Sequence, residues 1–166
     1  EPADFRDGAF DVAWFWDAYN TLGEKRFGTV YQSAKYLASS SQHRRAQLFA
    51  DAVTGKLDLD RTEQEIREKR NRDRLLAYAL IPIADKADVL HRYEFIQSFV
   101  KQAKTFGAQR QASETTAGRI ALSNLARNAG YQDANRLMWQ METDKLREIS
   151  PFLAAPQQVE DCELPL

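Results

Sequence analysis

The stretch KADVLHRYEFIQSFVKQAKTF, residues 86–106, decides the fold class. Val89, Leu90, Tyr93, Ile96, Phe99, Val100 and Ala103 return every three or four residues, the spacing that lines one face of an α-helix. A strand would need alternation with a period of two, and none is present here. The next stretch, Gln109 to Ala129, repeats the pattern with Ala112, Thr116, Ile120, Ala121, Leu125 and Ala129. Asp133 stands where an N-cap belongs, ahead of Ala134 to Ile149, which offers Leu137, Met138, Met141 and Leu146. Ser150-Pro151 predicts the end of that helix.

Upstream, glycines mark the stops. Gly23 and Gly55, like Gly107 and Gly130, follow apolar-periodic stretches and suit the residue just past a helix end. The first helix is predicted from Gly8 to Leu22, with Phe10, Ala13, Trp14, Ala18 and Leu22 inward. A second runs from Glu24 to Ser39, with Val30, Ala34, Leu37 and Ala38 inward. Ser39-Ser40-Ser41 caps a third, Gln42 to Thr54, whose Leu48, Phe49, Ala52 and Val53 face the core. The fourth, from Asp60 to Leu80, opens on a capping box, Thr62-Glu63-Gln64-Glu65. Its first half holds a single large apolar residue, Ile66, and its second half, Leu75 to Leu80, is apolar on nearly every side.

Composition agrees. Ala and Leu supply 39 residues, Val and Ile only 12, a balance that favours helix over sheet. The 23 basic and 24 acidic residues give a net charge of -1, so no global field draws the chain to polyanions or anionic lipid. No apolar run approaches the ~20 residues that span a bilayer, and Asp11 and Asp17 interrupt any signal-peptide pattern. A lone cysteine, Cys162, excludes an intrachain disulfide and fits a cytoplasmic setting. The first residue, Glu1, predicts a processed chain or a piece of a larger protein. At the other end Cys162, Leu164 and Leu166 alternate with Glu163 and Pro165, which reads either as a frayed acidic tail or as the start of a strand.

Arg92-Tyr93-Glu94-Phe95 and the run Phe106-Gly107-Ala108-Gln109-Arg110-Gln111-Ala112-Ser113-Glu114 form an unusual helical junction. They are followed by Ile120 to Tyr131 (IALSNLARNAGY), Asn135-Arg136-Leu137 and Met141-Glu142. Together this string, from about Asp60 to Glu142, resembles a segment of a large bacterial family of unknown function. That family includes proteins of the molybdate-metabolism-regulator type, some of which carry a WGR domain. The resemblance implies an internal helical module of a long multidomain protein and brings no catalytic residue with it.

Candidate chemistry is sparse. Asp88 and His91 have the Glu-x-x-His type spacing of helical di-iron sites, but His43 lacks an acidic residue three positions earlier. Two histidines and one cysteine fall short of a four-ligand zinc site. Cys162 lies among acidic residues, which suppress its thiolate, and no nucleophile elbow or phosphate-cradling glycine loop occurs. No catalytic residue, metal or cofactor is therefore assigned. Around the helix–turn–helix junction at Ala126 and Gly130 stand Arg127, Asn128, Asn135 and Arg136, the polar set a DNA-reading helix would need. Met138 and Trp139 crowd that face and Glu142 and Asp144 carry the wrong sign. The basic run Arg67, Lys69, Arg70, Arg72 and Arg74 is interleaved with Glu65, Glu68 and Asp73 and reads as a solvated face.

A polar stripe is the better lead. Arg110 and Glu114 open a helix along which Arg119, Ser123 and Arg127 follow at four-residue spacing. The structural reading makes Arg110 and Glu114 an ion pair that fixes the bundle, and the functional one makes the stripe a docking face. The aromatics Phe10, Trp14, Phe15, Trp16 and Tyr19 cover more than one helix face, so Trp14 or Trp16 should meet a neighbour.

The sequence thus predicts an all-α irregular bundle of about seven helices, with mostly antiparallel neighbours. HEAT-like helix pairs at a ~40-residue period are the competing arrangement. One domain spans residues 1–156: first helices over 8–55, a charged helix over 60–81 and a best-defined three-helix unit over 86–149. Residues 157–166 form a tail. The expected role is a non-catalytic scaffold or interaction module of a larger bacterial protein; a helix-turn-helix-like nucleic-acid-binding regulatory module is the alternative. Its interaction face combines Arg110, Glu114, Arg119, Arg127, Asn128, Asn135 and Arg136 with Trp14 and Trp16. The partner is the remainder of the parent protein or another protein, with weak self-association and no membrane contact.

Overall fold

A computed structural model describes residues 2–36, 40–153, 157–159 and 162–164. The described residues form nine α-helices: α1 (Pro2–Asp7), α2 (Val12–Leu22), α3 (Glu24–Ser33), α4 (Ser40–Val53), α5 (Leu59–Lys69), α6 (Arg72–Tyr78), α7 (Lys86–Ala103), α8 (Ala108–Asn128) and α9 (Ala134–Leu153). A 3₁₀ turn, Ala34–Tyr36, follows α3. Two three-residue strands, β1 (Gln157–Val159) and β2 (Cys162–Leu164), pair antiparallel with Val159 opposite Cys162. The alternation at Cys162 and Leu164 thus belongs to a strand; Leu166 lies outside the described residues.

The core is organised around α6. Every residue from Leu75 to Ile81 is buried, which is why that segment is apolar on all sides. The helix touches α4, α5 and α8, while α7 and α9 pack on α8. Contacts that skip along the chain in this way distinguish an irregular bundle from a solenoid, in which each unit meets only its sequence neighbours. The α7–α8 approach is set by Gly118, where a methyl group would overlap Val100. Gly8, with φ +112°, brings the N-terminal segment against Leu76 and Phe49 in a conformation L side chains rarely adopt.

Several expectations need correction. The charged helix over 60–81 is two helices, broken at Arg70, which takes the left-handed conformation (φ 48°). Asn71 then caps α6 by accepting from the Arg74 N–H at 3.1 Å. No capping box forms at Thr62: Asp58 caps α5 through the Arg61 N–H at 2.8 Å, and Thr62 is buried with its hydroxyl on the Asp58 carbonyl. α2 starts only at Val12, after Asp11 accepts from the Trp14 N–H. Its inward residues are therefore Phe15 and Tyr19, with Phe10 ahead of the helix, while Ala13, Trp14 and Leu22 are exposed. In α3, Phe27 and Tyr31 pack on the core and Val30 faces solvent. Leu37, Ala38 and Ser39 lie outside the described residues. On α8, Ala112 and Thr116 are exposed; on α9, Met138 and Leu146 are. That last helix also runs through Ser150-Pro151 to Leu153 instead of ending at Ile149.

Candidate functional site

Four polar clusters tie the helices together, each with at least one member that is buried or half-buried. At the α5–α6 break, Arg70 turns its guanidinium toward α7 and α8. It pairs with Glu114 (Nη2 to Oε2, 2.6 Å) and donates to the Phe99 carbonyl and the Gln102 amide oxygen, both at 2.9 Å. Its plane lies over the Phe99 ring, 4.0 Å from the centroid. Glu114, only 3% exposed, also accepts from Arg110 Nε at 2.8 Å, and Arg110 in turn covers the Phe106 ring at 3.8 Å. Burial alone would raise the Glu114 pKa; the bonds from Arg70 and Arg110 outweigh it and hold the carboxyl below its usual range.

The second place is Glu63 on α5. Its carboxylate accepts from the Tyr78 hydroxyl (2.8 Å) and Arg67 Nη2 (2.6 Å), and lies 2.8 Å from His91 Nε2. Burial opposes its charge, yet these partners prevail and its pKa is lowered. The same burial, together with Glu63, pushes the Tyr78 phenol far up. His91 and Asp88, the pair with metal-site spacing, diverge: His91 goes to Glu63, and Asp88 makes a two-point pair with Arg92. Among the described residues no group of three or more His, Cys, Asp or Glu side chains could hold a metal ion.

Third, Arg92 on α7 is fully buried. It donates to both Asp88 carboxylate oxygens at 2.6 Å and to the carbonyls of Tyr78, Ile81 and Pro82, which spends all five of its N–H groups. The α6–α7 connection is thereby pinned to α7. Fourth, the buried Asn124 on α8 accepts from the Phe10 N–H at 2.9 Å and donates to the Gly8 carbonyl at 3.1 Å.

The predicted face does not assemble as one surface. Arg110 sits near the start of α8 and Arg127 near its end, about 25 Å apart at 1.5 Å per residue. Glu114 is buried and spent on two arginines, so the ion-pair reading of Arg110 and Glu114 is what the structure has. Asn128 points inward and donates to the carbonyls of Ala79 and Ile81. Arg119, Arg127, Asn135 and Arg136 are exposed; Arg127 lies over Phe5 and Arg136 over Trp139. Both Trp14 and Trp16 reach solvent on α2.

Sequence reasoning missed Arg70, Arg92, Asn124 and Glu63. Two of these left a signal: Arg92 and Asn124 each sit within an apolar stripe, and Arg92 follows Asp88 by four residues. A polar residue on a core stripe is a request for a buried partner.

What the structure does leave open is apolar. On α9 the side facing away from Leu137 and Met141 exposes Met138 (36%), Trp139 (59%), Leu146 (63%) and Ile149 (48%).

Fold and sites together define an all-α domain held by buried arginine networks, with no helix among the described residues long and apolar enough to cross a membrane. The chain belongs to a family of unknown function (DUF5724), whose profile matches residues 1–141 and so takes in the N-terminal helices as well as the stretch from Asp60. No curated protein and no solved structure shows a significant match to the chain.

Proposed function

We propose that this domain is a non-catalytic interaction module that docks an apolar helix of another polypeptide on the outer side of α9. The carrying observation is the exposed set Met138, Trp139, Leu146 and Ile149. These residues lie at helical spacing opposite the buried face, so α9 is amphipathic twice over. A second apolar stripe of this kind suits helix-on-helix recognition, and a large exposed indole with an arginine over it has the chemistry of an interface anchor. The absence of catalysis is supported by the carboxylates. Glu63, Asp88 and Glu114 all have lowered pKa values and are bound by arginines, which makes them poor proton acceptors.

The resemblance described above supplies the setting: an internal module of a large cytoplasmic bacterial protein of the molybdate-metabolism-regulator type. The helix that docks then comes from the parent chain or from a partner protein. A photo-crosslinker placed at position 139 in the producing cells should trap one defined polypeptide segment, and one at Lys101 should not. With the trapped segment in hand as a peptide, Trp139→Ala with Leu146→Ala should weaken binding at least tenfold. Equal, diffuse labelling from positions 139 and 101 would defeat the proposal.

A further inference from the structure

Between the end of α1, the start of α6 and the first half of α8 lies a hollow of about 420 Å³. Its floor is apolar, formed by the buried Leu76, Ala117 and Ile120. Its rim is polar, and the fold fixes that rim at both ends. At one end Arg72, in the first turn of α6, donates to the Ser113 hydroxyl. At the other, Asp7 precedes Gly8, which packs on Leu76 and whose carbonyl the Asn124 amide holds at 3.1 Å. Arg45 braces the side, pairing with Asp73 at 2.8 Å and donating to the Arg6 carbonyl at 3.4 Å.

The hollow carries no net charge, yet two of its charges stand apart. Asp73 and Arg45 neutralise each other. The Asp7 carboxylate and the Arg72 guanidinium remain, and among the described residues neither forms an ion pair. They lie toward opposite ends: Arg72 is held at Ser113, while Gly8 is held at Asn124, one turn beyond Ile120. From Ser113 to Ile120 the hollow follows α8 for roughly 10 Å at 1.5 Å per residue. The hydroxyls between them keep bonding capacity. Ser113 accepts from Arg72 and still has its hydrogen to give; Thr116 donates to the Ala112 carbonyl at 3.0 Å and can still accept.

We infer that this hollow binds a short free peptide of two or three residues with apolar side chains. Its amino end meets Asp7, its carboxylate meets Arg72 and the Ser113 hydroxyl, and its side chains cover Leu76, Ala117 and Ile120. An anion alone would face Asp7 and a cation alone Arg72. An uncharged body would strip water from both and return nothing. A zwitterion answers both, provided that its charges are far enough apart. A single amino acid holds them within about 4 Å, whereas two or three extended residues separate them by roughly 7–10 Å. The interior of a longer polypeptide offers no charged ends. A volume of about 420 Å³ suits a ligand of this size. This inference is independent of the α9 reading, since the hollow shares no residue with the outer side of that helix.

The test is an NMR titration of the isotope-labelled full chain with the tripeptide alanyl-leucyl-alanine. With both ends free it should shift the amides of Gly8, Ser113 and Thr116 saturably, with a Kd on the order of 1 mM. Acetylating its amino end, amidating its carboxyl end, or replacing it by free leucine should each weaken binding about fivefold. Asp7→Asn should weaken the free peptide about fivefold and leave the acetylated one within about twofold. Arg72→Gln should do the same for the free and the amidated peptide. Lys101→Gln, on the exposed end of α7, should change neither. The capped peptides make the comparison on the unaltered chain, so it survives a variant that fails to fold. The proposal is overturned by any of four results: no saturable shift up to about 20 mM peptide, shifts confined to other parts of the chain, capped peptides or leucine that bind as tightly as the free tripeptide, or equal effects of the Asp7, Arg72 and Lys101 variants.

Discussion

Asn124 on α8 clasps Phe10, 114 residues earlier, through the Phe10 N–H, and its amide nitrogen holds the Gly8 carbonyl two residues before that. These two bonds tie the N-terminal segment to the core at a point where its backbone would otherwise be stranded without water. Asn124→Ala should cost about 2–4 kcal/mol in urea unfolding, since it leaves a buried donor and a buried acceptor unpaired. Hydrogen exchange should rise in α1 and α2 while α7 and α8 keep most of their protection. Uniform loss across all helices would mean that the clasp is not local.

Glu114 couples stability to pH. Its folded pKa lies below the unfolded value of 4.5, so its contribution is complete above about that pH and is withdrawn as pH falls through the folded value. Glu63 and Asp88, lowered in the same direction, add to the loss. The melting temperature should therefore drop steeply on acidification below about pH 4.5 and change little from pH 6 to 8. Glu114→Gln, which breaks a buried pair, should cost about 2–4 kcal/mol at neutral pH and flatten that acid slope.

Arg92→Lys should behave as a severe change. A lysine ammonium has three donors on a flexible stem, and the present guanidinium supplies five in a fixed plane to Asp88 and three carbonyls. A loss of about 2–4 kcal/mol is expected in denaturant titration. A lysine variant within 0.5 kcal/mol of the parent, roughly the scatter of harmless surface changes, would contradict the geometry.

Gly118→Ala should push α8 off α7 against Val100 at a cost of about 1–3 kcal/mol. Val100→Ala in the same chain should recover part of it, and a double-mutant cycle reads the coupling. Ile120→Ala, two residues further along α8 and buried on another side of that helix, should cost ~2–5 kcal/mol with no such rescue.

The helical class and the α7 stripe were legible because they rest on spacing alone. Phase was not always legible: extending the first helix back to Gly8 placed Phe10 on its wheel, rotating the inferred face away from Phe15. The break at Arg70 has neither glycine nor proline to announce it. A left-handed arginine there is supported by Glu114, 44 residues away, and local propensity contains nothing of such a partner. The polar networks escaped notice for the same reason, whereas the crowding of aromatic surface on the first helix is local and predicts that one of Trp14 and Trp16 faces outward; both do, Trp14 included, which the wheel places inward.

The central position of α6 also gives the molecule a history in time. A helix of seven residues does not persist in water by itself. The segment from Leu75 to Ile81 can lean on α4 and α5, made before it, but its cover is complete only when α8 arrives, and Leu125 is made 44 residues after Ile81. At ordinary synthesis rates of ~5–20 residues per second that is an interval of roughly 2–9 seconds. For those seconds the most water-averse part of the nascent chain has left the ribosome with only part of its cover, so the growing polypeptide passes through a window of greatest vulnerability to aggregation before a late helix closes it.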